Sequence, residues 1–240
     1  MVIQAVLVDS LRKSYGSVQA LRGVSFGIRY GELVGYLGPN GAGKTTTIKI
    51  IAGILKPDSG DVQVDGVSIL QDPIKVKSMI SYVPEEGGLF GHLTVYEHIK
   101  LVAALRGLGD AGVMKGLEIA ESFGLTEYLN RRISTLSKGN RQKLLLAGAF
   151  MVDAKVYLLD EPLVGLDAPS AMVVKEMLRD FVKNGKAVLF SSHILETVER
   201  LCDRVVLIDR GEIIATGDMA SIKEIGTLED FFSRMIEIKN

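Results

Sequence analysis

The sequence contains little cysteine, no long hydrophobic run and almost no net charge. A single cysteine, Cys202, among 240 residues excludes an intrachain disulfide and is typical of a reducing compartment. The longest apolar run, residues 144–152, is closed by Asp153 and is too short to cross a bilayer. Residues 1–9 lack the basic segment that opens a signal peptide. These absences predict a soluble protein.

The charge balance argues against partners that need a strongly charged surface. Lysine and arginine total 28, aspartate and glutamate total 29, and the net charge is −1. Such a chain has no overall attraction to nucleic acid or to acidic membrane surfaces. Because the sequence also lacks a basic run, no nucleic-acid partner is expected.

The most informative stretch is residues 38–46, GPNGAGKTT, which fits the phosphate-binding pattern G-x-x-x-x-G-K-[ST]. Residues 32–37 before it predict a short buried strand, and residues 46–52 after it predict a helix. Glycines let backbone N–H groups surround phosphate oxygens, and a helix N-terminus adds partial positive charge. This context favours nucleotide binding over a mere glycine turn. The candidate binding residues of the loop are Gly38, Pro39, Asn40, Gly41, Ala42, Gly43, Lys44, Thr45 and Thr46.

Four side chains have expected roles in handling phosphate, metal and water. Lys44 is expected to reach the β- and γ-phosphates, and the Thr45 hydroxyl to bind Mg²⁺. The apolar run at 156–159 ends in Asp160 and Glu161. Asp160 would hold the Mg²⁺ shell, and Glu161 could orient and polarise the attacking water. The alternative, that both acids are solvated turn residues, is weakened by the phosphate loop upstream.

A third signal is residues 136–143, LSKGNRQK, which precede an apolar helical run. Ser137 can cap that helix, and Gly139 leaves N–H groups open to an anion. On these residues alone, an ordinary capped helix is a better account than an anion site.

The order of predicted elements indicates an α/β core interrupted by a mostly helical insert. The insert, from about 93 to 152, contains the capping-box pattern Thr94 to Glu97 and a break at 107–110 before a helix at 111–123. Strands are predicted around 24–28, 62–64, 80–83, 156–159, 187–190, 204–209 and 212–215. Further helices are predicted at 169–182 and 194–201.

Taken together, these motifs resemble the ATP-binding subunit of ABC transporters along nearly the whole chain. Residues 38–46 match that family's Walker A motif, and residues 159–162 its Walker B motif with the catalytic glutamate. Other matches are the signature motif at 136–142, the D-loop at 165–167, the switch histidine His193 and the adenine-stacking Tyr15. The resemblance implies a P-loop NTPase core with an antiparallel β subdomain and an inserted helical subdomain. The implied core is 1–84 and 153–240, and the implied helical subdomain, carrying the signature motif, is 85–152.

The resemblance also implies a mechanism in which two copies pack head to tail around two ATP molecules. Each γ-phosphate would then lie between Lys44 of one subunit and Ser137 and Gly139 of the other. Glu161 would act on the attacking water, His193 would contact the γ-phosphate, and both would be catalytic together with Lys44.

The partners implied are a separate transmembrane permease and a second ATP-binding subunit, either identical or related. The chain would then sit at the cytoplasmic face of the cell membrane as a peripheral subunit that couples ATP hydrolysis to solute transport.

Some positions depart from the family pattern. Glu85 stands where the family usually has a glutamine that senses Mg²⁺, so Glu85 joins Thr45 and Asp160 as a candidate metal ligand. Lys138 replaces the first glycine of the signature pair, and Val164 replaces a commonly small polar residue. The motifs at 84–88 and 136–139 most resemble subunits that serve export permeases.

Two other functions remain open at this point. Soluble ABC-type ATPases of DNA repair or translation usually carry coiled coils, zinc modules or basic arms, which this sequence lacks. A nucleotide sensor without turnover is disfavoured by the presence of Glu161 and His193.

Overall fold

The computed structural model describes residues 4–239; residues 1–3 and 240 of the predicted core lie outside it. The strands are β1 (Gln4–Tyr15), β2 (Val18–Arg29), β3 (Leu33–Leu37), β4 (Ser59–Val64), β5 (Val67–Ser68), β6 (Ile80–Val83), β7 (Val156–Asp160), β8 (Ala187–Ser192), β9 (Arg204–Asp209) and β10 (Glu212–Asp218). The helices are α1 (Lys44–Ile51), α2 (Pro73–Ser78), α3 (Val95–Leu105), α4 (Gly109–Ser122), α5 (Lys138–Phe150), α6 (Ala168–Lys183), α7 (Leu195–Leu201), α8 (Met219–Ile225) and α9 (Leu228–Lys239).

The strands form two sheets. The first has the order β2-β1-β4-β5 and is antiparallel. The second has the order β10-β9-β3-β8-β7-β6 and is parallel except for β10. The carboxyl ends of parallel strands meet at one edge, which is where open α/β sheets bind ligands. The segments that follow β3, β6, β7 and β8 therefore lie along a common edge.

Helix α1 lies between the two sheets. Its residues Ile48, Ile50 and Ile51 are fully buried in a core that also includes side chains from both sheets. Strand β3, which leads into this helix, is buried along its whole length, because both of its faces are covered. Helix α7 approaches β3 so closely that a Cβ on Gly35 would lie 2.4 Å from Val198 Cγ1. The strand that carries the phosphate loop is thus fixed on both sides.

The insert is built from α3, α4 and α5. The predicted capping box at the start of α3 is present: the Thr94 hydroxyl accepts from the Glu97 N–H at 3.1 Å, and the Glu97 carboxylate accepts from the Thr94 N–H at 2.8 Å. The segment between α4 and α5 forms two short 3₁₀ turns, 126–128 and 133–135, within the insert that was predicted to be mostly helical. Helix α4 begins two residues before the predicted start, at Gly109.

A second hydrophobic core joins the insert to the parallel sheet. It runs from α3, α4 and α5 to β7 and α6 without interruption. The Tyr157 and Phe181 rings stack at 4.1 Å between centroids, and Phe150 of the insert packs edge-on against Phe181. Within residues 4–239, no helix has the length and apolar character needed to cross a bilayer.

Candidate nucleotide-binding site

The loop between β3 and α1 is closed by glycines at positions where no side chain fits. A Cβ on Gly38 would lie 2.2 Å from the Ile208 carbonyl oxygen. Gly43 has φ 109°, and a Cβ there would lie 2.8 Å from the Ala20 carbonyl oxygen. The loop is therefore pressed against β2 and β9, which leaves its backbone in one arrangement just before the N-terminus of α1. This is the local structure that the phosphate-binding pattern predicts.

Lys44 is held inside this loop. Its side chain is 7% exposed, and its Nζ donates to the carbonyl oxygens of Gly38 at 2.6 Å and Pro39 at 3.2 Å. The same Nζ lies 3.8 Å from Glu161 Oε1. A buried ammonium needs such partners, because an isolated charge is costly away from water. The loop thus holds a positive charge at the place where phosphate is expected.

A cavity of about 390 Å³ opens beside the loop. It brings together many of the residues that the sequence singled out, from the loop, from the segment after β6, from the end of β7 and from the segment after β8. Two lining residues, Ala20 and Val164, had no predicted role in binding. The lining residues are Ala20, Asn40, Gly41, Gly43, Lys44, Thr45, Thr46, Glu85, Glu161, Val164 and His193.

Asp160 ends β7 and is fully buried. Its Oδ1 accepts from the Ser191 hydroxyl at 2.7 Å, whereas its Oδ2 has no hydrogen-bond partner among the described residues. A buried carboxylate oxygen without a partner is costly, and the hydrated shell of a Mg²⁺ ion would satisfy it. Asp160 does not itself line the cavity, whereas Thr45 and Glu85 do. All three side chains are oxygen donors of the kind that Mg²⁺ prefers. The residues present therefore fit this ion.

Glu161 has an unusual backbone conformation. Its φ is 48°, in the left-handed region that non-glycine residues rarely adopt, and its side chain is nearly buried. Its Oε1 lies 3.1 Å from His193 Nδ1, but no donor meets hydrogen-bond geometry at this oxygen. Strain of this kind is kept at functional sites when the surroundings enforce it. The carboxylate thus lines the cavity, with Oε1 between the Lys44 ammonium and the His193 ring.

The signature segment lies outside this cavity. Ser137 caps α5, accepting from the Asn140 N–H at 3.2 Å, and is exposed. Gly139 packs so closely on the D-loop that a Cβ would lie 2.8 Å from the Gly165 carbonyl oxygen. Neither residue lines the cavity. The structure thus does not bring the predicted signature ligands together with the phosphate loop of the same chain.

Further contacts fasten the signature helix to the segment after β7. Lys143 Nζ donates to Asp167 at 2.6 Å, and this hydrogen bond holds the pKa of the Asp167 carboxyl well below its usual range. Asp167 also caps α6 through the Ser170 N–H. Gln142 Nε2 donates to the Pro162 carbonyl oxygen at 3.1 Å in a buried position. Sequence reasoning missed the Gln142 contact, because its partner is a backbone atom that carries no sequence signal.

Tyr15, the predicted adenine-stacking residue, ends β1 and is 51% exposed. It does not line the cavity, and the Lys13 ammonium lies 6.0 Å from the centre of its ring. Its stacking role stays a prediction, as do the roles of the other site residues.

A phosphate-binding loop between a parallel strand and a helix, beside an acidic pair at the end of a neighbouring strand, defines a P-loop nucleotide-hydrolysing protein. Comparison with known proteins identifies the family within this class. The family model described as "ABC transporter" matches residues 21–164.

Among curated proteins, the ABC transporter ATP-binding protein NatA of Bacillus subtilis (strain 168) is 39% identical over 225 residues, which is 91% of this chain and 92% of that protein. The SkfA peptide export ATP-binding protein SkfE of the same organism is 38% identical over 213 residues and covers 88% of each chain. A solved structure of an ATP binding subunit of an ABC transporter superposes with a TM-score of 0.90 at 31% identity, over 97% of this chain and 99% of that one.

The chain belongs to the ABC transporter family, as an ATP-binding subunit with ATPase activity. The predicted family and fold class are confirmed.

Proposed function

We propose that this chain binds Mg²⁺ and ATP in the cavity beside the phosphate loop, and that hydrolysis there drives solute export through a separate permease. The observation that carries the proposal is the convergence of Lys44, Glu161 and His193 on one cavity. Asp160, whose Oδ2 has no hydrogen-bond partner among the described residues, immediately precedes Glu161 at the end of β7. Hydrolysis of ATP needs a cation for the phosphates and a base for water, and both are present there.

Each side chain has a distinct part in the proposed chemistry. The Lys44 ammonium stabilises negative charge on the β- and γ-phosphates. The Glu161 carboxylate, which lines the cavity, orients the attacking water and accepts its proton. His193, 3.1 Å from that oxygen, contacts the γ-phosphate and fixes the position of Glu161. Bound Mg²⁺, held by Thr45, Asp160 and Glu85, would neutralise phosphate charge.

The complete site is proposed to form only between two copies of the chain, or between this chain and a related one. Ser137 and Gly139 lie at the N-terminus of α5, where N–H groups are available to an anion, but they do not line the cavity of their own chain. A second subunit packed head to tail would bring its own α5 terminus to the γ-phosphate. Tyr15 would stack on the adenine ring at the outer end of the site.

The permease is proposed to dock on the insert. A shallow apolar groove there is lined by residues that include Phe90, Leu93 and Leu101, and Phe90 is 54% exposed. An amphipathic helix binds such a groove through its apolar face. The name of SkfE associates that relative with peptide export, which supports transport in the export direction. Docking would place this chain at the cytoplasmic face of the membrane.

Affinity purification of the tagged chain from detergent-solubilised native membranes tests this proposal. We expect a multi-span membrane protein in near-equal amount, identified by mass spectrometry, together with ATPase activity that depends on Mg²⁺. Phe90→Glu should lose the membrane protein but keep ATP binding. Ile74→Glu, at an exposed apolar residue of α2, is the matched control and should keep both. Recovery with soluble assemblies alone would instead favour an ABC-type ATPase that does not serve transport.

A further inference from the structure

A single hydroxyl joins the two acidic residues of the site. Ser191 lies in β8, directly opposite Asp160 of β7, and is fully buried. Its Oγ donates to Asp160 Oδ1 at 2.7 Å and accepts from the backbone N–H of Glu161 at 3.0 Å. A serine hydroxyl can donate and accept at the same time, so one side chain completes both bonds.

The bond to Asp160 decides which carboxylate oxygen remains available. Oδ1 is occupied by Ser191, whereas Oδ2 has no partner among the described residues. If the Asp160 carboxylate rotated, it would give up its hydrogen bond to Ser191 in a fully buried position, which is costly. The hydroxyl therefore holds the carboxylate in one orientation, with one free oxygen.

The bond to Glu161 acts on the backbone. Glu161 has the strained φ of 48°, and the Ser191 hydroxyl accepts a hydrogen bond from the backbone N–H of this same residue. Without Ser191, this buried N–H would lose its partner, and the left-handed turn would lose one of the contacts that enforce it. The direction of the Glu161 carboxylate thus depends on the same hydroxyl as the orientation of Asp160.

We propose that Ser191 is a positioning residue for the metal and the attacking water: it presents Asp160 Oδ2 to the Mg²⁺ shell and keeps Glu161 turned into the cavity. This inference rests on the proposed function, because it requires Mg²⁺ and ATP at this site. Groups that orient metal ligands typically change metal affinity by about ten- to a hundredfold when they are removed.

The test compares Ser191→Ala, Ser191→Cys and Ser191→Thr with the unmodified chain. Binding of a fluorescent ATP analogue is measured first in EDTA and then during titration with Mg²⁺. In Ser191→Ala we expect the affinity for the ATP analogue in EDTA to be unchanged. The apparent dissociation constant for Mg²⁺ should rise about tenfold or more. Ser191→Cys, whose thiol is a weak donor, should give a Mg²⁺ dissociation constant between those of Ser191→Ala and the unmodified chain. Ser191→Thr keeps a hydroxyl and should have the dissociation constant of the unmodified chain. In Ser191→Ala, kcat should fall while the KM for ATP at saturating Mg²⁺ stays unchanged.

Ser81→Ala is the matched control. Ser81 lies in β6 of the same sheet, is almost fully buried and donates to the Ala149 carbonyl oxygen at 2.8 Å, away from the acids. Its loss should lower the melting temperature without changing the Mg²⁺ constant. If Ser191→Ala does not fold, Ser191→Cys carries the test, since it removes the strong donor at nearly the same volume.

Two failures are distinguishable. An unchanged Mg²⁺ constant in the Ser191 variants, with normal ATP binding by the unmodified chain, overturns this inference alone. Absence of ATP binding by the unmodified chain overturns the proposed function as well.

Discussion

The phosphate-loop end and the signature end of the molecule carry the two halves of the expected ATP site, yet they are built differently. At the phosphate-loop end, Lys44 and Glu161 are each 7% exposed and lie among fixed partners. At the signature end, Ser137 is exposed, caps α5 and does not line the cavity beside the phosphate loop. In the proposed composite site, the first half lies within one chain and the second is offered to a partner chain. Contact between two chains would then decide when hydrolysis can proceed.

The largest effect is expected at the buried half. Glu161→Gln should lower ATP turnover by about a thousandfold while ATP still binds, because an amide cannot accept the proton of water. In the presence of ATP, the variant should then accumulate as a dimer, which size-exclusion chromatography detects. Glu86→Gln, the same change at an exposed carboxylate, is the control and should remain close to normal turnover. Normal turnover in Glu161→Gln would refute its role, and a strictly monomeric variant at saturating ATP would contradict the composite site.

Mixing two inactive variants tests whether the halves come from different chains. Lys44→Ala removes the buried cation, and Ser137→Arg blocks the exposed helix terminus, so each alone should be inactive. A mixed dimer would contain one intact site, and an equal mixture should therefore recover roughly a quarter of the normal rate. Steady-state ATPase assays of the separate and mixed proteins give the answer. A mixture as inactive as its components would mean that both halves act within one chain.

The smallest effect concerns the attachment of the signature helix. The hydrogen bond from Lys143 lowers the pKa of the Asp167 carboxyl in the folded protein. The bond therefore contributes fully to stability above the pKa of an unfolded aspartate, about 3.9. This contribution is lost as the pH falls towards and through the lower pKa of the folded state. Lys143→Met should lower the melting temperature slightly at pH 7, because the Asp167 side chain is 53% exposed and solvent screens the pair. Melting curves between pH 7 and pH 3 should show this difference shrinking below about pH 4. A difference independent of pH would assign the effect to packing instead.

The phosphate loop, the acidic pair and the capping box were predictable because each is a local pattern with a local physical cause. Lys44 and Thr45 follow from loop spacing, and Thr94 with Glu97 from the first turn of a helix. Helix α1 starts two residues before its predicted start because Gly43, in a left-handed conformation, ends the loop there.

Other features depend on contacts that a linear pattern does not encode. Strand β1 was not predicted, because its register with β2 shifts repeatedly and Ser10, at φ 51°, breaks the alternation. The bonds of Ser191 arise from strand register across 31 residues of sequence and had no local signal. The helical subdomain boundaries, 85 and 152, stay a prediction, since the hydrophobic core of the insert continues into the parallel sheet.

The hydrogen bond from Gln142 to the Pro162 carbonyl connects the helix that would face a partner's nucleotide to the residue next to Glu161. A shift of α5 on meeting that nucleotide would be transmitted to the base in its own chain. A nucleotide bound in the partner's site would then change the position of Glu161 in the subunit whose α5 contacts that nucleotide. ATP binding at the two sites of a dimer would consequently be coupled, with a coupling free energy shared between the sites.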